Sequence, residues 1–153
     1  MNRFRSRSLV ACLAMLPAFA SAQQPRARDT TPFERPKPIA TIASTSNSDT
    51  IRQLKALLEE RAFTIDGVDW QRGELSSIKK DSAASNASDR VLLWLERDPS
   101  APASQANIYF IFGRFEPFFG STEGPVRVRM NPDEQGRMAT LQHEIVTFAT
   151  SQR

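Results

Sequence analysis

Apolar positions along this chain follow two periods, and each period marks a different kind of element. Ile51, Leu54, Leu57 and Leu58 recur at helical spacing behind the capping candidates Ser48 and Asp49, which predicts a helix at the start of the folded unit. Phe63-Thr64-Ile65 and Val68-Asp69-Trp70 alternate on either side of Asp66-Gly67, a dipeptide that accepts the positive φ angles of a type I′ turn. That pattern predicts a hairpin with Phe63 opposite Trp70 and Ile65 opposite Val68. From Gln71 to Ser88 two readings stand: Leu75 and Ile78 suit a helical turn, and a strand with a bulge at Gly73 fits equally well.

Beyond that segment the periods are clearer. Arg90 to Arg97 and Asn107 to Phe115 read as strands joined by a turn-rich loop, and Val126 to Met130 alternates with Arg127 and Arg129 on the polar side. A last helix starts at Pro132, with Asn131 as cap and Glu134 at the capping-box position, and carries Met138, Leu141, Ile145 and Phe148 as its apolar stripe. The expected fold is α+β: an antiparallel sheet of three to five strands flanked by an N-terminal and a C-terminal helix, spanning residues 49–153.

A register follows from matching apolar side chains, because a slip of one residue would move every side chain to the opposite face. Phe110 opposite Leu93 and Phe112 opposite Met130 gather Val91, Leu93, Leu95, Ile108, Phe110, Phe112, Val128 and Met130 on one face, which is core. The other face then holds Leu92, Trp94, Tyr109, Ile111 and Phe115 beside Arg127 and Arg129. Apolar residues on both faces favour one helix covering each. If instead both helices cover the first face, Trp94, Tyr109, Phe115, Arg127 and Arg129 form an exposed patch of residue types enriched at binding hot spots. Phe118 and Phe119 extend the set in a Pro- and Gly-bounded loop, either folded over the core edge or presented to a partner.

The N-terminus changes how the charge is read. Arg3, Arg5 and Arg7, the apolar run Leu9 to Ala20 and the small residues Ala20-Ser21-Ala22 make a secretory signal with cleavage after Ala22. Leu9-Val10-Ala11-Cys12 resembles a lipobox, but only three apolar residues would precede the cysteine, too few for a signal's hydrophobic segment. The whole chain of 153 residues has a formal charge of +3 and one cysteine; both the excess charge and Cys12 lie in the leader. From Gln23 onward the chain is formally neutral and free of cysteine, so the expected location is periplasmic or secreted, with no transmembrane segment after cleavage. Residues 23–48, with Pro25, Pro32, Pro36 and Pro38, read as a flexible linker rich in Pro, Ser and Thr.

Candidate chemistry is sparse. His143 is the only histidine, and the His143-Glu144 start of a zinc-protease pattern lacks its second histidine, Thr147 standing there. No catalytic residue, metal ligand set or cofactor loop is expected, and a neutral chain with interspersed charge gives no nucleic-acid stripe. Asp66, Asp69 and Glu74 form an acidic group without the ligand spacing of a calcium loop. The expected function is a non-enzymatic protein-interaction module of the bacterial envelope, an accessory subunit, inhibitor or immunity-type protein with a protein partner there. The alternative is a periplasmic binder of a small ligand or glycan, including a carboxylate-based hydrolase, built on the acidic group in a pocket between sheet and helices.

Overall fold

The computed structural model of the chain describes residues 26–32, 34–43, 46–81, 87–117 and 124–151. The expected leader with its cleavage site, and Phe118 and Phe119, lie outside the described residues. In order the elements are β1 (Ala40–Ala43), α1 (Asn47–Glu60), β2 (Thr64–Asp69), β3 (Glu74–Lys80), β4 (Ser88–Glu96), β5 (Gln105–Glu116), β6 (Val126–Val128) and α2 (Pro132–Ser151). The six strands form one antiparallel sheet in the order β1-β5-β4-β3-β2, with β6 also paired to β5. The fold is thus α+β with a helix near each end of the domain, as expected, but the sheet exceeds three to five strands.

The extra strand comes from the stretch expected to be a linker. Thr41 and Ile42 pair with Asn107 and Ala106, and Ile42 is buried. Period-two patterning over four residues with one buried isoleucine is too weak a signal to separate an edge strand from a coil. Upstream, Arg28 bridges Val128, and the Asp29 N–H donates to the Arg127 carbonyl at 2.9 Å.

Two other expectations are corrected. Asp66-Gly67 is not a turn: β2 runs through it with a bulge between Ile65 and Gly67, so Ile65 pairs with Ser77 and Val68 with Leu75. The chain reverses later, at Trp70 to Gly73, where Gly73 takes φ 71°. Gly67 is needed for close approach instead, since a Cβ there would stand 2.7 Å from Ser76 Oγ. The longer arms pack Ile65 and Val68 together against the core, which a tight turn between them would not. Second, β6 is shorter than expected. It keeps the register that Phe112 opposite Met130 implies, with Val128 against Arg114, but Met130 lies past the strand, because the Arg129 N–H leaves the sheet for the Ala27 carbonyl and Asn131 already caps α2. The Leu93–Phe110 pairing is as expected.

Both helices lie on one face of the sheet, not one on each. Ile51, Leu54 and Leu58 of α1 and Leu141, Ile145 and Ala149 of α2 join one buried cluster with Leu75, Val91, Leu93, Leu95, Ile108, Phe110 and Phe112. Helix α1 covers β2 and β3, and α2 covers β1 and β5, so the widened sheet gives both helices room on the same side. Helix α1 is capped by Ser46, two residues before the expected Ser48, its Oγ accepting from the Asp49 N–H. Helix α2 has the expected capping box: Asn131 Oδ1 accepts from the Glu134 N–H at 2.9 Å, and Glu134 Oε2 accepts from the Asn131 N–H at 2.8 Å.

Two local features carry predictions. Helix α1 ends in a Schellman arrangement, with the Phe63 N–H donating to the Leu58 carbonyl and the Ala62 N–H to the Glu59 carbonyl. That places Ala62 at φ 62°, where its Cβ crowds the backbone. Ala62→Gly is expected to raise stability by about 1 kcal/mol in urea unfolding; no gain would mean the left-handed turn carries no strain. Ser77 is buried on the helix side of β3, and its Oγ has no hydrogen-bond partner among the described residues. Ser77→Ala should likewise add about 1 kcal/mol by removing an unsatisfied hydroxyl, measured the same way.

Candidate functional site

The sheet face opposite the helices is where most of the expected site residues fall. Alternation along β4 turns Arg90, Leu92, Trp94 and Glu96 to this side, and their β5 partners Gly113, Ile111, Tyr109 and Asn107 follow. Each pair stands side by side on a pleated surface, which brings residues distant in sequence into one row. Trp94 and Tyr109 stack with ring centroids 5.0 Å apart and planes 7° from parallel. Arg35, from the segment before β1, lies 5.8 Å over the Tyr109 ring and is ion-paired with Glu96. Tyr109 is buried under these neighbours and Trp94 is half-buried.

At the other end of the face, Phe115 lies beside Arg127 on β6. The Arg90 guanidinium sits 4.7 Å from the Phe115 ring centre, within cation–π range. Gly113 leaves the flat spot these side chains use, since a Cβ there would meet the Phe115 ring at 3.0 Å and Arg127 Nε at 3.7 Å. Arg127 Nε is 3.2 Å from Asp29 Oδ2. The Asp29 carboxyl is held below its ordinary value, first by the Thr31 hydrogen bonds and, against some burial, by Arg127 and Arg129.

Between the aromatic ends, Ile111 is half-buried and Leu92 is 39% exposed. The expected residues therefore divide. Trp94 and Tyr109 form one end of the face and Phe115 and Arg127 the other. Arg129 stands beyond β6, held to Ala27 through its backbone. Reading by periodicity missed Arg35, which reaches the face from a segment without a period, and Arg90, which lay in plain view one pleat from Leu92.

The acidic group sits on β2 and β3. Asp69 and Glu74 are cross-strand neighbours on this same open face, and the Asp69 side chain accepts from the Gln71 and Arg72 N–H groups in the turn that follows. Clefts of about 300, 390 and 170 Å³ lie, respectively, between residues 31–39 and the β5 edge, beneath α2 around Phe112 and Leu141, and at the Asp81–Arg114 end. None of the three contains Asp66, Asp69 or Glu74. His143 is exposed on α2. Among the described residues no three His, Cys, Asp or Glu side chains converge as metal ligands, and no helix is long and apolar enough to cross a membrane.

A second polar constellation, absent from the expectations, sits on the helix side. Arg114 is 3% exposed and lies 3.1 Å from Asp89, 2.6 Å from Asp81 and 3.5 Å from both Glu116 and Glu134. Arg26 donates to both Glu134 oxygens at 2.6 and 2.7 Å, and Arg137 closes on Asp89 at 3.2 Å. Burial works against the charge on Arg114, yet Asp81 and Asp89 outweigh it and raise its pKa. Burial likewise pushes Glu134 up, but the Arg26 hydrogen bonds, the Asn131 N–H and the Arg114 charge outweigh it and hold the carboxyl below its ordinary value. Fully ion-paired, this group ties β4, β5, α2 and the N-terminal segment together, and it offers no unpaired acid or base for proton transfer. No protein-family model matches the chain, and no curated protein is similar to it in sequence.

Proposed function

We propose that this chain is an exported protein-interaction module that acts by contact through the helix-free sheet face. The observation that carries the reading is Leu92, exposed at the centre of the six-stranded sheet. It is flanked by the stacked Trp94–Tyr109 pair on one side and the Arg90–Phe115 pair on the other. Tryptophan and tyrosine supply large contact area with little entropy lost on binding, and together with arginine they dominate the energetics of many interfaces. The leader supports export to the periplasm or beyond. An absence of catalysis is part of the proposal, and it rests on the lack of a recognisable catalytic motif in the sequence.

A photo-crosslinking side chain placed at Leu92 tests the reading in cells that export the protein. A discrete crosslinked product is expected, with none from the same probe at Gln53 on the exposed side of α1. A chain that crosslinks at neither position, or equally at both, would overturn it.

A further inference from the structure

Charge on the open face is segregated along the strand direction. Lys80, Arg90 and Arg127 occupy the two rows at the Phe115 end, and Asp69, Glu74 and Glu96 the two rows at the Trp94 end. Leu92 and Ile111 share the row between them. Arg127, Asp69 and Glu96 are paired within the chain to Asp29, Arg72 and Arg35, which offset their charges, whereas Lys80, Arg90 and Glu74 have no ion partner among the described residues. The face is therefore apolar at its centre, with uncompensated positive charge at one end and uncompensated negative charge at the other.

Such a pattern is complementary to itself under one rotation. We infer that the occupant of this face is a second copy of the chain, stacked sheet on sheet about a two-fold axis that crosses the strands at the Leu92–Ile111 row. Rotation about that axis runs the two sets of strands antiparallel. It lays Arg90 over the second copy's Trp94 and beside its Glu74, carries Lys80 toward the second copy's Glu96, and sets Leu92 against Leu92. Every contact occurs twice, as in an isologous dimer. An axis parallel to the strands would overlay like charges, so the charge pattern selects one geometry of the two. Sheets packed face to face lie about 10 Å apart and aligned to within about 30°, a gap that these side chains fill. Four strands by five rows give on the order of 500 Å² per copy, about 1,000 Å² in all, the size of a weak, reversible contact.

This inference rests on the open face being a contact surface, and the test separates the two claims. Sedimentation equilibrium of the purified protein is expected to show a monomer–dimer equilibrium that weakens as salt rises. Arg90→Glu and Glu74→Lys should each weaken the dimer about tenfold or more while lowering the thermal melt of the monomer by only a few degrees, since both side chains are exposed and Arg90 loses only its contact with the Phe115 ring. Mixing the two variants should restore association, because in the heterodimer one contact is the native Arg90–Glu74 pair and the other is that pair with its charges exchanged, both attractive. A wild-type monomer at all accessible concentrations, variants that dimerise like wild type, or a mixture that stays monomeric would each overturn the second copy as occupant. In the last three cases a Leu92 crosslink to a different protein leaves the contact face standing. No crosslink at Leu92 at all removes both claims.

Discussion

Arg114→Ala is expected to cost about 3–5 kcal/mol of folding stability, the range seen when one partner of a buried ion pair is removed. For a domain of this size that corresponds to a fall of about 10–20 °C in Tm. The cost is large because Asp89 and Glu134 are themselves 5% and 3% exposed and would lose the cation at the centre of their cluster. Coulombic attraction in the folded chain is only part of it. The larger part is leaving carboxylates away from water with fewer donors. Replacing the pair by apolar residues of similar size, Arg114→Met with Asp89→Leu, should therefore destabilise less than Arg114→Ala alone. Additive losses in the double variant, measured by urea unfolding, would show that the two residues do not act as a pair.

The same cluster sets the acid limb of stability. Glu134 has its folded pKa depressed below the ordinary value of 4.5, so the stability it contributes is present above that value and is lost as pH falls through the folded pKa. Urea midpoints should be flat from neutral pH down to about 5 as far as this group is concerned, then fall. In Glu134→Gln that part of the acid slope disappears, and a slope unchanged by the substitution would remove Glu134 from the account.

The second large effect discriminates between two adjacent leucines. Leu93→Ala should cost about 2–5 kcal/mol, because Leu93 is fully buried between the sheet and both helices. Leu92→Ala, one residue earlier on the helix-free face, should cost the monomer less than about 1 kcal/mol, measured at concentrations too low for the dimer. Chemical denaturation of the two variants thus reads directly which face the helices cover. Equal losses in the monomer would mean that the chain itself covers the second face, and the contact-surface reading would fall with that result.

Legibility of the fold followed the length of each periodic run. Nine residues of β4 and twelve of β5 carry enough alternation to place Leu93 against Phe110 from sequence alone. The three residues of β6 keep the register that Phe112 opposite Met130 implies, with Val128 against Arg114, but the ladder ends before Met130. Arg114 and Asp89 nonetheless left a trace. Each continues the inward parity of its strand, Arg114 after Phe110 and Phe112, Asp89 before Val91 and Leu93. A charge at an inward position is a signal of a buried pair, and it is readable before any coordinates. Asp66-Gly67 misled for the opposite reason. Its local preference for a turn is real, but a glycine is also what a bulge and a close cross-strand contact require, and the longer ladder buries more.

Local chemistry in the sequence determined the capped start of α2, the apolar stripes of both helices, the pairing of β4 with β5 and the identity of the residues on each sheet face. Those features depend on neighbours within a turn or on a strict two-residue alternation, so the chain states them wherever it folds. Which face the helices cover was decided only in three dimensions, because β4 and β5 are apolar on both sides and their own pattern is symmetric with respect to that choice. The sheet's width broke the symmetry. With β1 drawn from a Pro-rich stretch to one edge and β2 extended through its glycine at the other, both helices fit side by side, and the Leu92–Trp94–Tyr109–Phe115 face was left open.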